Sequence, residues 1–184
     1  MVSPHPDVAR ILVTADEIRS RIRELALQLQ RDYEGEAALY LVGILKGAFI
    51  FLADLTRQLA VPHFVDFMAL SSYGRSATSS GAVRILMDLR EPIHDRHVLI
   101  VEDILDTGNT LRYLSETLLG RKPASLRTCV LLRKKRAVPA AHIDYLGFEI
   151  PDVWVVGYGL DYADSYRTLP YIAELKPEIY RGKG

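Results

Sequence analysis

Two adjacent carboxylates follow a short apolar segment near the middle of the chain. The segment Val98–Val101 has the composition of a buried strand, and Glu102 and Asp103 come directly after it. In open α/β sheets, ligands bind at the carboxyl ends of the strands, so these two acids are candidates for a binding site. Carboxylates accept hydrogen bonds from sugar hydroxyls, and they are also ligands that divalent cations prefer.

The turn that follows the acids is typical of a phosphate site. Thr107, Gly108, Asn109 and Thr110 begin the predicted helix Thr107–Leu119, and unpaired amides at a helix N-terminus favour an anion. Gly108 allows the backbone to approach a phosphate closely. The chain has neither of the two commoner glycine-rich phosphate loops. An ordinary strand–turn–helix with Asp106 as N-cap would explain the turn, but not the acidic pair.

Strand and helix patterns alternate along the chain, which predicts an α/β fold with a mostly parallel sheet flanked by helices. Thr14 and Glu17 form a capping-box pattern for a first helix that ends before Gly35, and further helices are predicted at Ala48–Leu59 and Thr107–Leu119. Strands are predicted at Ala38–Leu45, His63–Leu70, Val83–Asp88, Val98–Val101, Leu126–Leu132, Ile143–Phe148 and Val153–Tyr158. A single domain over residues 1–184 is expected, with a flexible loop at about 71–81.

Composition narrows the function classes. The 184 residues include 23 basic and 23 acidic side chains, and a net charge of zero argues against a dedicated nucleic-acid binder. The single cysteine, Cys129, cannot form an intrachain disulfide, and the first eight residues lack a secretory signal pattern, which together predict a cytoplasmic protein. The apolar run Ala37–Leu55 contains Lys46 and Asp54, so no membrane span is expected.

The segment Val98–Leu111 resembles the ribose-phosphate signature of the type I phosphoribosyltransferases. Further segments are similar, in order, to the purine branch, the hypoxanthine-guanine phosphoribosyltransferases: Leu45–Gly47, Ser72–Tyr73, Leu132–Lys134, Gly147–Asp152 and Val155–Asp161. The resemblance covers about Leu12 to Arg167. It implies the type I fold, with a small hood over the site. It also implies purine salvage, in which ribose 5-phosphate passes from phosphoribosyl pyrophosphate to N9 of hypoxanthine or guanine, giving IMP or GMP.

The resemblance assigns a role to each part of the central segment. The residues expected to bind the 5-phosphate and ribose are Glu102, Asp103, Asp106, Thr107, Gly108, Asn109 and Thr110. Asp106 is expected to be the general base that accepts the proton from N7 of the purine. Mg²⁺ is the implied cofactor, with Glu102, Asp103 and Asp161 as its ligands.

Two further sets of residues are implied for pyrophosphate and purine. The pyrophosphate set is Lys46, Gly47, Ser72, Tyr73 and Arg167, and the turn at Lys46 often carries a non-proline cis peptide in the family. The purine set is Lys134, Trp154, Val155 and Asp161, in which Lys134 donates to the exocyclic oxygen and Trp154 stacks on the ring. Alternatives are a shift of one residue to Lys135, a core position for Trp154, and pairing of Arg167 with Asp164.

The resemblance leaves two other functions open. The basic stretch Arg121–Arg136 would suit a gene regulator that binds RNA, and a related enzyme could use xanthine or another base. The expected partners are the small-molecule substrates phosphoribosyl pyrophosphate, hypoxanthine and guanine, with no nucleic acid and no membrane. The family forms dimers and tetramers, which implies a homodimer or homotetramer.

Overall fold

The chain folds into a six-stranded sheet with helices on both faces and a second, three-stranded sheet. We describe a computed structural model in which residues 4–36, 38–72, 83–135 and 142–181 are defined. The strands are β1 Val8–Val13, β2 Leu39–Leu45, β3 His63–Ser72, β4 Val83–Met87, β5 His97–Leu105, β6 Ser125–Lys134, β7 Tyr145–Ile150, β8 Val155–Val156 and β9 Ile172–Leu175. The helices are α1 Ala15–Asp32, α2 Phe49–Thr56, α3 Asn109–Leu119 and α4 Pro177–Arg181.

The large sheet has the strand order β4-β3-β2-β5-β6-β7. Its neighbouring strands run parallel, except that β4 pairs with β3 in the antiparallel sense at one edge. The predicted α/β fold with a mostly parallel sheet is therefore confirmed. Strands β2, β5 and β6 are parallel neighbours, so their carboxyl ends lie on the same side of the sheet. The polar segments that follow these strands are therefore close together.

Side chains on successive positions of the central strands enter two separate cores. Leu39 and Leu41 of β2 pack with α1 and α2 on one face, whereas Tyr40 and Val42 pack with α3 on the other. This alternation arises because successive side chains of a strand point to opposite faces. Nearly continuous apolar runs are therefore required in the central strands, because both faces are covered.

Helix α1 begins as the sequence predicts. Thr14 is the N-cap, its hydroxyl accepts a hydrogen bond from the backbone N–H of Glu17, and the Glu17 carboxylate accepts one from the Thr14 backbone at 2.7 Å. The helix buries Ile18, Leu25 and Leu29. Among the described residues, no helix is long and apolar enough to cross a membrane.

The three-stranded sheet has the order β1-β9-β8 and forms the hood that the resemblance implies. Strands β1 and β9 were not predicted from the sequence. They pair antiparallel, with Val8 opposite Leu175, so their partners come from the two ends of the chain. Such short strands depend on this distant pairing, which a local pattern does not reveal.

Several predicted boundaries were wrong at the edge where the strands end. Strand β5 extends to Leu105 because Ile104 and Leu105 continue the ladder with β6, so Glu102 and Asp103 lie within the strand. Helix α3 begins at Asn109 instead of Thr107 because Gly108 is its N-cap. Strand β3 includes Ser71 and Ser72, which the sequence assigned to the predicted loop at about 71–81, and residues 73–82 lie outside the described part.

A buried tyrosine ties the loop after β8 to helix α2. Tyr158 is 6% exposed, and its hydroxyl donates to Oδ2 of Asp54 at 2.5 Å. We expect Tyr158→Phe to lower the free energy of unfolding by ~1–2 kcal/mol, because the Asp54 carboxylate loses a buried partner. The measurement is urea unfolding followed by circular dichroism.

Tyr166 offers a matched control, because its hydroxyl donates to Asp7 at 2.8 Å from a less buried position. We expect Tyr166→Phe to cost less than about 0.5 kcal/mol, because substitutions nearer the surface usually have small effects. Equal effects of the two substitutions would contradict a special role for the Tyr158 contact.

Candidate active site

Three chain segments meet at Gly47, in the turn after β2. A Cβ atom on Gly47 would lie 1.7 Å from Oδ2 of Asp103, so any side chain there would displace the Asp103 carboxylate of β5. A Cβ atom on Gly159 would lie 2.0 Å from the carbonyl oxygen of Gly47, and Gly159 has φ +102°. Only glycine combines this close approach with a positive φ at low cost. The turn after β2, the end of β5 and the loop after β8 are therefore in direct contact.

The acidic pair of β5 is held in an environment that disfavours its charge. Burial, and then the neighbouring Asp103, raise the pKa of Glu102 well above its usual range. Burial also raises the pKa of Asp103 to about 6, although nearby Arg167 opposes the shift. Within the described part of the chain, Oε2 of Glu102 is buried without a hydrogen-bond partner. Such an acceptor is costly to bury unless a ligand supplies a donor or a cation.

The acidic pair can hold a divalent cation only in combination with a ligand. The described residues contain no group of three or more acidic, histidine or cysteine side chains arranged as a complete metal site. Mg²⁺ is commonly bound by one or two protein carboxylates together with substrate phosphates and water. The donor set of Glu102 and Asp103, with an orphaned carboxylate oxygen, fits that mode of binding.

The segment between β5 and α3, here called the α3 cradle, leads into a helix N-terminus. Gly108 is buried and left-handed with φ +80°, and it turns the chain into the first turn of α3. Thr107 and Asn109 are exposed, and Thr110 is partly exposed. No side chain of the described residues caps this helix N-terminus at Gly108. The backbone amides of the first turn are thus available to an anion such as a phosphate.

An open cleft of about 250 Å³ lies beside this cradle. It brings together predicted residues from both sheets, and its lining is Asp103, Ile104, Asp106, Lys134, Trp154, Val155, Leu160 and Asp161. Nζ of Lys134, the last residue of β6, is 3.6 Å from Oδ2 of Asp106 and 3.4 Å from Oδ1 of Asp152. The cleft therefore offers one cation, several carboxylates and an apolar wall.

The structure shows where two residues with alternative roles, Trp154 and Lys134, are placed. Trp154 is 45% exposed, so it is not a core residue. Its ring stacks on Tyr180 of α4 at 5.4 Å between centroids and meets Tyr162 edge-on at 5.5 Å. Lys134 is the last residue of β6 and lines the cleft, whereas Lys135 follows the end of the strand and does not line it.

Two cationic side chains, those of Arg167 and Lys46, lie near the Gly47 contact, and each is paired with acidic side chains. Nη2 of Arg167 donates to Oδ1 of Asp164 at 2.9 Å and forms an ion pair with Oδ1 of Asp161 at 2.9 Å. Its Nη1 donates to the carbonyl of Gly159 at 2.8 Å. Nζ of Lys46 is 3.0 Å from the same Asp164 oxygen. The alternative pairing of Arg167 with Asp164 is therefore present in this structure, where Arg167 also contacts Asp161 and Lys46 also contacts Asp164.

The remaining predicted features of the pyrophosphate set are at the end of β3 and in the turn after β2. Ser72 is the last residue of β3, and Tyr73 lies outside the described residues. The turn after β2 contains a non-proline cis peptide, which joins Leu45 to Lys46 and so precedes the Lys46–Gly47 bond.

Sequence reasoning missed Asp152 as a partner of Lys134, Tyr180 as a partner of Trp154, and the contact between Lys46 and Asp164. Asp152 ends the segment Gly147–Asp152, and its acidic side chain two residues before Trp154 could have indicated a partner for Lys134. Tyr180 gave no signal, because it lies in a five-residue helix at the end of the chain.

The basic stretch Arg121–Arg136 is largely neutralised where the structure describes it. Arg121 pairs with Asp88, Arg127 with Asp32, and Arg133 with Glu149. These pairs distribute the arginines among different acidic partners instead of leaving a continuous basic surface.

Comparison with known proteins finds that the similar sequences are phosphoribosyltransferases. The family described as phosphoribosyl transferase domain matches residues 12–163. The hypoxanthine-guanine phosphoribosyltransferase of Dictyostelium discoideum is 49% identical over 175 residues, which cover 93% of this chain and 97% of the relative. The enzyme of that name from Mycobacterium bovis is 51% identical over 181 residues, covering 95% and 90%.

Solved structures of hypoxanthine phosphoribosyltransferases have the same fold as this chain. One of Trypanosoma cruzi hypoxanthine phosphoribosyl transferase, from work on the role of its C-terminal region in oligomeric state and activity, superposes with a TM-score of 0.91 at 46% identity, covering 98% of both chains. Another, of the Trypanosoma cruzi enzyme in complex with the product IMP, gives a TM-score of 0.89 at 46% identity, covering 97% of this chain and 100% of the other.

The raised pKa of Asp103 makes a prediction about stability. Its folded-state pKa of about 6 lies above the usual 3.8, so the folded protein binds more protons in this range and loses stability as pH rises through it. Asp103→Asn should therefore stabilise the protein by ~1–2 kcal/mol at about pH 7.5 without divalent cations, and the gain should vanish near pH 4. Chemical unfolding at each pH measures this difference.

Asp88→Asn is a control with the opposite sign. The hydrogen bond from Arg121 lowers the pKa of Asp88, so this carboxylate stabilises the fold at neutral pH and the effect is lost as pH falls. We expect Asp88→Asn to cost ~0.5–1 kcal/mol at about pH 7.5, because the pair is partly exposed. Equal destabilisation by Asp103→Asn would contradict the strained state of the acidic pair.

Proposed function

The chain belongs to the hypoxanthine-guanine phosphoribosyltransferases, and we propose on this premise that its cleft joins ribose 5-phosphate to a 6-oxopurine. The enzyme is a purine-salvage transferase that takes the sugar phosphate from phosphoribosyl pyrophosphate and releases pyrophosphate. The observation that carries the assignment of the site is the cleft, in which Lys134, Trp154 and Val155 face Asp106 beside the α3 cradle.

The α3 cradle and the acidic pair would hold the sugar phosphate. Backbone amides at Gly108 and Asn109, with the hydroxyls of Thr107 and Thr110, would donate to the 5-phosphate. Glu102 and Asp103 would accept hydrogen bonds from the ribose hydroxyls, which supplies the partner that Oε2 of Glu102 lacks among the described residues. The negative potential of this pair would also stabilise positive charge that develops on the sugar.

The reaction moves one proton and exchanges one bond. N9 of the purine forms the new bond to C1′ of ribose as the bond from C1′ to the pyrophosphate oxygen breaks. The proton on N7 would pass to the carboxylate of Asp106, which lines the same cleft as Lys134. Lys46, Gly47 and Arg167 would hold the pyrophosphate, with Ser72 and Tyr73 covering it and excluding water.

Mg²⁺ is the cofactor that we propose for the leaving pyrophosphate. Glu102 and Asp103 would hold it on the ribose side, and Asp161 would hold a second ion through water. Its chemical contribution when bound is to neutralise the negative charge of the leaving pyrophosphate.

Selection of the base would depend on the wall of the cleft opposite the cradle. Lys134 can only donate hydrogen bonds, so it favours an exocyclic oxygen over the amine of adenine. Trp154 would stack on the ring, with Tyr180 behind it. The backbone of Val155 would contact the base edge that carries the amine of guanine.

We also propose that the enzyme is a cytoplasmic homodimer or homotetramer. Phe64 and Leu86 on β3 and β4 are 57% and 62% exposed, and apolar side chains of this size are commonly covered in an assembly. The cytoplasmic location is proposed because the one cysteine, Cys129, is a buried free thiol, as is usual in reducing compartments. Light scattering that shows a monomer at micromolar concentration would reject the assembly, and recovery outside the cytoplasmic fraction of cells would reject the location.

A spectrophotometric assay tests the function directly. The purified protein is mixed with phosphoribosyl pyrophosphate, Mg²⁺ and each of hypoxanthine, guanine, xanthine and adenine. We expect turnover with hypoxanthine or guanine and none with adenine, and turnover should stop when the metal is chelated. The absence of turnover with every 6-oxopurine would reject the proposal, and a salt-dependent shift of RNA in a gel would then favour a regulator.

Asp106→Asn tests the proton acceptor. The amide keeps the shape of the side chain but does not accept the N7 proton, so we expect kcat to fall by about 100-fold or more, since general bases contribute about 10²–10⁴. The KM for phosphoribosyl pyrophosphate should change little, because the substitution leaves the backbone amides of the cradle and the hydroxyls of Thr107 and Thr110 in place.

Asp152→Asn is the matched control, since Asp152 is also close to Lys134. It removes a similar charge next to the lysine without removing the proton acceptor, and we expect kcat within about threefold of wild type. Near-normal kcat in Asp106→Asn would exclude Asp106 from this role.

A further inference from the structure

One carboxylate oxygen receives both cations that the proposed function assigns to pyrophosphate. Oδ1 of Asp164 is 3.0 Å from Nζ of Lys46 and 2.9 Å from Nη2 of Arg167. On the basis of that proposed function, we propose that Asp164 takes the position of a pyrophosphate oxygen in the substrate-free enzyme and competes with pyrophosphate for Lys46 and Arg167. Asp164 would thus be an internal competitor that sets how tightly the enzyme holds this anion.

The local backbone directs Asp164 toward the two cations. Ala163 and Asp164 are both left-handed, with φ +50° and +60°, and the backbone N–H of Asp164 donates to Oδ2 of Asp161 at 2.8 Å. Left-handed conformations are uncommon for residues other than glycine, although aspartate and asparagine tolerate them. The turn therefore has a defined shape that does not depend on the Asp164 carboxylate itself.

The contacts of Asp164 are suited to exchange. The side chains of Asp164 and Lys46 are each 68% exposed, and exposed ion pairs contribute little because water screens them. Arg167 is only 18% exposed, and it keeps its contacts with Asp161 and the Gly159 carbonyl when Asp164 leaves. An incoming pyrophosphate would therefore find Arg167 already in position and would need only to displace an exposed carboxylate.

The competition has a calculable consequence. If the cations are engaged by Asp164 most of the time, the apparent affinity for pyrophosphate falls by the fraction of molecules in which they are available. For an exposed pair, this fraction corresponds to a weakening of about two- to fivefold. Weaker retention of pyrophosphate would assist its release as a product.

Asp164→Asn is the direct test. Asparagine keeps the size of the side chain and tolerates the left-handed backbone, but it has no negative charge. Isothermal titration of inorganic pyrophosphate into the substrate-free protein, with Mg²⁺ present, should give a Kd about two- to fivefold lower than wild type. Asp164→Glu, which keeps a carboxylate, should remain within about twofold of wild type.

Asp88→Asn is the matched control, because it removes an aspartate that pairs with Arg121 at a place separate from the cleft. Its Kd for pyrophosphate should equal that of wild type. An unchanged or higher Kd in Asp164→Asn would overturn the inference, since Asp164 would then be neutral or would help to hold the cations. A wild-type protein that binds no pyrophosphate would overturn it as well. Pyrophosphate binding without turnover of hypoxanthine or guanine would instead reject the proposed function alone.

Discussion

The close approach of the Gly159 backbone and the Asp103 carboxylate to Gly47 is the constraint on which the rest of the site depends. The turn after β2 has no side chain at this position because Oδ2 of Asp103 lies where a Cβ atom would be. The loop after β8 in turn uses Gly159, because the carbonyl of Gly47 lies where its own Cβ atom would be. The large sheet and the hood are thus in contact through backbone, which fixes the acids of β5 relative to the cations around Asp161.

The electrostatics of the site follow from this packing. Glu102 is buried and Asp103 is partly buried near the end of β5, and desolvation raises the pKa of both. Arg167 is close enough to oppose the shift of Asp103, although Asp161 and Asp164 share its guanidinium. The substrate-free enzyme therefore holds acids and cations that are not fully matched to each other. A ligand with hydroxyls and phosphates can satisfy both, as expected for a preorganised site.

The sequence predicted the parts of the fold that arise from local patterns. The apolar run before Glu102, the capping box at Thr14 and the alternation of strands and helices each depend on neighbouring residues, and all three were confirmed. Strands β1 and β9 of the hood were not predicted, because they are stabilised by pairing between the two ends of the chain. The stacking of Tyr180 on Trp154 and the contact between Lys46 and Asp164 likewise join segments that are distant in sequence. The roles of single residues were inferred from the family resemblance. The structure places several of these residues, among them Asp106, Lys134 and Trp154, around one cleft.

The most direct test of the account is the transfer rate of Gly47→Ala, because this substitution adds one methyl group where the three segments meet. The account predicts a folded protein whose kcat/KM with hypoxanthine falls by about 100-fold, since misplacement by about 1 Å can cost this much. Gly120→Ala is the reference, because its Cβ atom would meet no atom closer than 3.4 Å, and it should retain wild-type activity. A Gly47→Ala enzyme with near-normal kcat/KM would contradict the claim that this contact assembles the site.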